Sequence, residues 1–434
     1  MNNLIKRFFI LSGLFLIYKI SLDFVFLPTY YKTFSYMLNA TYEYDFDKFI
    51  LSYFIFFIMI LFLANLSIKK EDFYIIGVIL YILSVIPMLS VYAFVSYVKL
   101  DSILYPFIFL CILIIRLSKD TQKRLVIYCP ALKSASKVTL IFCTAGTLVC
   151  WIWAGCPILT NLSHSIAQRL ELRAKGMPIL LGYLFVVLGG VVVPYMFARF
   201  LDKNRIRYSI LILGSGFLLY SINGMKTWFF LYLVVIGIYL VSRICKNNIR
   251  KISYFIIFLS TLFLIISIEL FLRYNIIDLM NQVGRVVCIP NGIGFKSVSF
   301  FKENELLYLR ESVLRHFFET PYPGGSDFYM NYGANSTINS SRSNNGLWGD
   351  ATRNFGFIGV IVYPIFIAKI FNIIEYSVRK YSVRFKVFIF FLMIWNSINV
   401  SFFTWLLTGG VIIILFLTKI FKKEDRQLYM KGKN

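Results

Sequence analysis

Long apolar stretches recur along the whole chain and constrain its fold more than any other feature. We predict about twelve membrane-spanning helices, at residues 8–28, 49–67, 73–95, 102–116, 138–157, 178–199, 208–222, 227–243, 253–272, 354–376, 386–402 and 404–420. A hydrocarbon core about 30 Å thick requires roughly 20 apolar residues per helix. Hydrophobic residues make up 59% of the 434 residues, well above the share in soluble domains. The sequence therefore predicts an all-α, polytopic membrane helix bundle.

The distribution of basic residues predicts how this bundle is oriented. Lys and Arg gather in every second loop and in the tail, at about 69–70, 116–137, 203–207, 243–251, 379–386 and 419–423. Cytoplasmic loops of multi-pass proteins carry such an excess, so we expect both termini to be cytoplasmic. This topology accounts for most of the formal net charge of +24, and we expect no nucleic-acid partner.

One long polar segment, at residues 273–352, interrupts the apolar pattern. It divides the chain into an N-terminal bundle at 1–272, the polar segment, and C-terminal membrane helices with a short basic tail at 353–434. A smaller outer loop is predicted near 158–177. Apolar residues at helical spacing predict that the long segment is partly helical around 303–318. Loops in membrane bundles are usually short, so a segment of this size on the outer face favours surface chemistry over simple transport.

Arginines on the predicted outer face are candidate ligands for a phosphate group. Arg173, Arg285 and Arg315 are the principal candidates, and Arg169 is a further one. Arginine holds phosphate through two parallel hydrogen bonds and keeps its charge at all physiological pH values. The alternative is that these residues, like Arg310, contact lipid head groups or form salt bridges with Glu171, Glu311 or Glu319.

The outer segment offers three candidates for a general base. His316 titrates near neutral pH and can accept a proton, although a single loop histidine more often has a structural role. Asp350 and Glu319 are the competing candidates. No metal-binding carboxylate pair occurs in an outer loop, so we expect a mechanism without metal or other cofactor.

Two charged residues fall within predicted spans. Lys19 is expected to extend its ammonium group to the membrane interface. Glu269 lies about one turn from the outer end of its span, where a carboxylate is costly and needs a partner.

Three stretches of the chain resemble the bacterial O-antigen, or oligosaccharide repeat-unit, polymerases of the inner membrane. Residues 284–290 (GRVVCIP), followed by Phe300-Phe301, are similar to the family's Arg-apolar-Pro stretch. Residues 345–350 (NGLWGD) and 355–359 (FGFIG) are similar to its Asn/Gly-Asp stretch and the Phe-Gly-x-x-Gly helix start. Residues 223–227 (NGMKT) are similar to its Gly-x-Lys-Ser/Thr turn.

The resemblance implies a helical membrane glycosyltransferase of the lipid-sugar-dependent, GT-C-like type with a large periplasmic loop. Its activity would transfer a growing glycan from undecaprenyl pyrophosphate onto an incoming lipid-linked repeat unit. Arg285 matches the family's arginine in the large loop, Arg173 matches the one in the smaller loop, and Lys226 lies in the Gly-x-Lys turn. Related ligases use a loop histidine, which makes His316 a candidate by analogy.

The same resemblance suggests where the protein works and with what. We expect the bacterial inner membrane, with the active face periplasmic and membrane lipids and an undecaprenyl-pyrophosphate-linked oligosaccharide as partners. A flippase and a chain-length regulator of the same pathway are further candidate partners. Two alternative functions remain open at this stage: a glycan ligase, which shares the loop architecture, and a lipid-linked oligosaccharide flippase, which also commonly has about twelve spans.

Overall fold

The computed structural model describes residues 2–34, 40–119, 135–158, 171–172, 174–312, 317–322, 325–327, 330 and 346–431. Its helices are α1 Asn2–Ser21, α2 Leu27–Phe34, α3 Phe46–Lys69, α4 Glu71–Leu80, α5 Ile86–Phe94, α6 Leu104–Ser118, α7 Ala135–Trp153, α8 Ile179–Val187, α9 Val193–Asp202, α10 Ile206–Asn223, α11 Lys226–Ile244, α12 Ile249–Tyr274, α13 Ile277–Val287, α14 Ile289–Phe301, α15 Gly346–Val378, α16 Val383–Asn399, α17 Phe402–Leu406 and α18 Val411–Lys431. The π-helical segments Leu22–Phe26, Tyr81–Val85 and Leu188–Val192 join α1 to α2, α4 to α5 and α8 to α9. No β-strand occurs in the described part of the chain, and the all-α prediction is confirmed there.

Eleven helical stretches of the described residues are long and apolar enough to cross a membrane. They are Asn3–Phe34, Phe46–Ile68, Glu71–Phe94, Leu100–Ser118, Ala135–Trp153, Ile179–Asp202, Ile206–Asn223, Lys226–Ile244, Ile249–Tyr274, Gly346–Val378 and Phe402–Phe421. The remaining predicted span, 386–402, corresponds to α16, whose 17 residues lie at the lower limit of the roughly 17–25 residues that a membrane span takes. The chain is a helical multi-pass membrane protein.

The chain forms two compact units. Unit 1 comprises residues 1–122, 249–372 and 394–404, and unit 2 comprises 123–248, 373–393 and 405–434. The described part of the polar segment therefore belongs with the N-terminal helices in unit 1. It contains two helices, α13 and α14, both largely buried on one side.

The first span of unit 1 contains a fully buried ion pair. Lys19 and Asp23 are one helical turn apart, their charged atoms are 2.9 Å from each other, and both side chains have 0% exposure. The Tyr53 hydroxyl also donates to Asp23 Oδ2, at 3.0 Å. The prediction that Lys19 extends to the membrane interface is therefore wrong, because a carboxylate within reach on the same helix neutralises it inside the bundle. Glu269 does have the expected partner, Arg273, four residues later.

Helix α15 is broken within its first third. Phe355 and Gly356 have non-helical backbone angles, and Gly356 has a φ of 56° with a ψ of −136°, a combination open essentially to glycine alone. The break divides α15 into a short polar helix, which begins at Gly346, and a long apolar one. The backbone carbonyls just before the break lose their helical donors and are free to accept hydrogen bonds from elsewhere.

These carbonyls explain why the predicted helix around 303–318 is wrong for its described residues, which form turns. The Leu307 amide donates to the Arg353 carbonyl at 2.9 Å, and the Tyr308 amide donates to the Asn354 carbonyl at 3.2 Å. Tyr308 and Leu309 have positive φ values of 48° and 68°, which end any helix of L-residues. Residues 313–316 lie outside the described part of the chain.

Unit 2 is held together on its own by a second set of contacts. Arg199 is buried, and its guanidinium lies 4.0 Å from the centre of the Phe421 ring. Asp202 accepts hydrogen bonds from Arg384 Nε and Ser382 Oγ, both at 2.5 Å. The turn predicted around residues 223–226 is present between α10 and α11, where Gly224 has a φ of 61°.

Candidate functional site

Helix α13 holds the start of the polar segment tightly against α2 of unit 1. At Gly284 a side chain would overlap the ring of Tyr30, so only glycine lets the two helices approach this closely. Three further residues are buried on the same side of α13, namely Met280, Val283 and Val287. The position of the next residue, Arg285, is therefore fixed by the packing of α13.

Helix α14 continues this packing toward the beginning of α15. Phe295 and Trp348 pack edge to face, with ring centres 5.3 Å apart, and a side chain at Gly294 would overlap the Trp348 ring. Both aromatic side chains are buried. This contact brings the polar residues of α14 next to those of the short helix at the start of α15.

A buried polar network, here called the Arg353 cluster, consists of Arg353, Ser297, Asp327, Asp350 and Asn354. Arg353 is only 4% exposed, its Nε donates to Ser297 Oγ at 2.9 Å, and its guanidinium pairs with Asp327. Its buried Nη2 group has no hydrogen-bond partner among the residues that the structure describes. A buried donor without an acceptor is costly, so this group is available for an acceptor that arrives with a ligand.

Asp350 and Asn354 form the part of the cluster that accepts hydrogen bonds from backbone amides of other stretches. Asn354 Nδ2 donates to Asp350 Oδ1 at 3.1 Å, and Asn354 Oδ1 accepts from the Leu309 amide at 2.8 Å. The other oxygen of Asp350 accepts from the Phe402 amide at 2.9 Å. Because both carboxylate oxygens already accept hydrogen bonds, the geometry favours a positioning role for Asp350 over that of a base.

Glu311 joins two stretches of the polar segment. Its carboxylate accepts hydrogen bonds from the Ser326 amide at 2.6 Å, the Ser326 hydroxyl at 2.7 Å and the Thr320 hydroxyl at 3.2 Å. Ser326 has 0% exposure and directly precedes Asp327. Glu311 thus fixes the backbone that carries the counterion of Arg353.

A cluster of apolar side chains also holds the described part of the polar segment against α14. Phe301, Leu307 and Tyr322 are buried together, and the Tyr322 hydroxyl donates to the Glu305 carbonyl at 2.6 Å. Burial, with the charges of Glu305 and Glu311, raises the pKa of Tyr322, so it stays a neutral donor. The described part of the segment is therefore a small packed structure.

Lys296 adds a cation beside the cluster, one residue before Ser297. Its ammonium lies 5.2 Å from the centre of the Tyr97 ring. Burial lowers the pKa of this ammonium group. Lys296 was not among the predicted site residues, and its position emerges only from the packing of α14.

The described arginines from Arg273 to Arg353 differ in their partners. Arg273 pairs with Glu269, Arg310 with Glu305 and Arg353 with Asp327. Arg285 is exposed and makes no ion pair or hydrogen bond with any described residue. Arg310 is half-buried and pairs with Glu305 rather than with Glu311 or Glu319, whereas Arg285 is open to an external anion.

The other predicted site residues are distributed as follows. Glu319 is exposed and has no ion-pair partner in the described chain. Lys226 is half-buried at the first residue of α11 and belongs to unit 2. Four predicted residues lie outside the described part of the chain: Arg169, Arg173, Arg315 and His316.

The structure brings together residues that sequence reasoning did not select, namely Arg353, Ser297 and Asp327. One local signal was available: Asp350, Arg353 and Asn354 share a helical face at spacings of three and four residues. Nothing local links Ser297 or Asp327 to that face, because they lie 56 and 26 residues away from Arg353.

Comparisons with known proteins add no relative: no family model, no curated protein and no solved structure matches this chain.

Proposed function

We propose that the protein is a polymerase of lipid-linked oligosaccharide repeat units. It would transfer the growing glycan from undecaprenyl pyrophosphate onto an incoming undecaprenyl-pyrophosphate-linked unit. The reaction would take place at the periplasmic face of a bacterial inner membrane, with both termini in the cytoplasm. The proposal rests on the resemblance of three sequence stretches to that family and on the environment of Arg285.

The observation that carries the proposal is the contrast between Arg285 and its neighbours. Arg273, Arg310 and Arg353 each have a carboxylate partner, while Arg285 is exposed without one among the described residues. The helix that bears it is immobilised by the close approach of Gly284 to Tyr30. An unpaired guanidinium on a helix that is fixed by packing suits the diphosphate of a lipid-linked sugar.

The chemistry requires little more of the protein than binding and orientation. The pyrophosphate leaves from the anomeric carbon with its bonding electrons, and a cation stabilises the negative charge that develops on it. A hydroxyl of the acceptor sugar attacks the same carbon from the opposite side and loses its proton, so the configuration at that carbon inverts. Glu319 is the exposed carboxylate that stays a candidate for accepting this proton, and His316 stays a prediction.

Deletion of the gene, followed by gel analysis of the surface glycan, tests the proposal. Loss of the polymer ladder with retention of single repeat units on their acceptor supports a polymerase. Loss of both contradicts it and favours a ligase or a flippase. Re-expression of the wild-type chain must restore the ladder, and Arg285→Ala at normal protein level must not.

A further inference from the structure

We infer that Asp327 blocks Arg353 from binding phosphate, so that Arg353 binds a phosphate group of the substrate only when this ion pair opens. The inference rests on the proposed function, which supplies the anionic substrate. It assigns to Asp327 the role of an internal competitor, and to Glu311 the role of a positioning residue that holds the competitor in place.

The first step of the argument is the geometry of Arg353. Its guanidinium pairs with Asp327, its Nε donates to Ser297 Oγ at 2.9 Å, and its Nη2 group has no partner among the described residues. A carboxylate and a phosphate oxygen bind a guanidinium in the same bidentate manner. Asp327 contacts the Nη1 group, which is one of the donors that a phosphate would use, and it leaves the Nη2 group unsatisfied.

The second step concerns what holds Asp327. The residue is 13% exposed, and it follows Ser326, whose amide and hydroxyl both donate to Glu311. Glu311 belongs to the stretch at 302–312 that is docked on the carbonyls of Arg353 and Asn354. Residues from two hydrogen-bonded stretches thus meet at one guanidinium, and a shift of residues 325–327 would uncover it.

The third step is the chemical need for a competitor. A buried guanidinium without a counterion is strongly unfavourable, so a site that binds a diphosphate only transiently needs a counterion between turnovers. Asp327 meets this need from a neighbouring stretch of the same segment. The substrate and Asp327 would then bind Arg353 in competition, and each would weaken the other by the same factor.

Binding of inorganic pyrophosphate to the purified full-length protein in nanodiscs, measured by titration calorimetry, tests the inference. Asp327→Asn should bind pyrophosphate about 5- to 150-fold more tightly than the wild type, the usual range of such coupling. Addition of Arg353→Gln to that variant should remove the gain. Glu311→Gln, which keeps the Asp327 charge but loosens its position, should give a smaller gain in the same direction.

A matched control separates this effect from a general loss of negative charge. Asp101 pairs with Lys302 at 2.5 Å in the same unit, and Asp101→Asn should leave the affinity unchanged. Unchanged or weaker binding in both Asp327→Asn and Glu311→Gln overturns the inference. If Arg285→Ala still lowers the affinity in that case, the proposed function stands and only the competition is wrong. An Arg285→Ala variant with wild-type affinity would count against the proposed function instead.

Discussion

Arg285 and Arg353 both belong to unit 1, but their surroundings are opposite. Arg285 is exposed on a helix held by apolar packing and has no partner among the described residues. Arg353 is 4% exposed, ion-paired with Asp327 and bonded to Ser297. The comparison shows that the number of arginines alone does not define an anion site, because an arginine can be open to a ligand or already paired with a carboxylate of the protein.

The largest expected effect is that of Arg353→Gln on stability. This change leaves Asp327 without its cation in a mostly buried site, and breaking such a pair costs about 3–5 kcal/mol. The midpoint of thermal unfolding in detergent should fall markedly. The double variant Arg353→Gln with Asp327→Asn should recover much of the loss without restoring glycan polymer. A single variant as stable as the wild type would mean that the pair contributes nothing to folding.

Arg285→Ala should abolish or strongly reduce polymer while the protein still inserts normally. A charge-assisted contact to phosphate contributes about 1.5–3 kcal/mol, which corresponds to roughly 10- to 150-fold in rate. Arg285→Lys should recover only part of the activity, because a point charge does not replace the bidentate guanidinium. Polymer length and amount on a glycan gel, normalised to protein level, provide the measurement. A normal ladder in the alanine variant would remove Arg285 from the site.

Gly284→Ala tests whether packing of α13 positions Arg285. The added methyl group would overlap the Tyr30 ring, and overpacking of this kind costs about 1–3 kcal/mol. We expect a lower unfolding temperature together with a loss of polymer. Gly13→Ala is the matched control, because open space surrounds that glycine. Equal behaviour of the two variants would show that the contact with Tyr30 does not position Arg285.

The smallest expected effect is that of Glu305→Gln. Glu305 is 60% exposed in its pair with Arg310, and exposed pairs contribute only about 0.2–1 kcal/mol. Both unfolding temperature and polymer should stay close to wild type. A loss of polymer comparable to that of Arg285→Ala would show that Arg310, too, takes part in the site.

The parts of this structure that sequence reasoning predicted are those set by local pattern. Apolar runs predict the membrane spans. Local sequence also predicts the turn at Asn223-Gly224 and the need of Glu269 for a partner. The pairing of Lys19 with Asp23 is also local, at a spacing of four residues. It was not predicted, because a lysine in a membrane span commonly extends its ammonium group to the interface.

The parts that could not be predicted depend on contacts between distant residues. The stretch around Leu306 and Leu309 has helical apolar spacing, yet its amides bond to carbonyls released by the break at Gly356. Tertiary hydrogen bonds outweigh a weak local preference there. The Arg353 cluster likewise joins residues from α14, the polar segment and α15, and no single window of sequence contains it.

The proposed polymerase activity is tested most directly by an assay of the purified protein in nanodiscs, with a lipid-linked repeat unit as the sole substrate. We predict that the wild type forms a glycan ladder and releases undecaprenyl pyrophosphate in step with it. Arg285→Ala should be about 10- to 150-fold slower. Arg379→Ala, which removes a side chain that is 63% exposed and lies in unit 2, should match the wild type. The absence of a ladder from the wild-type protein, or equal rates for the wild type and Arg285→Ala, would contradict the proposed function.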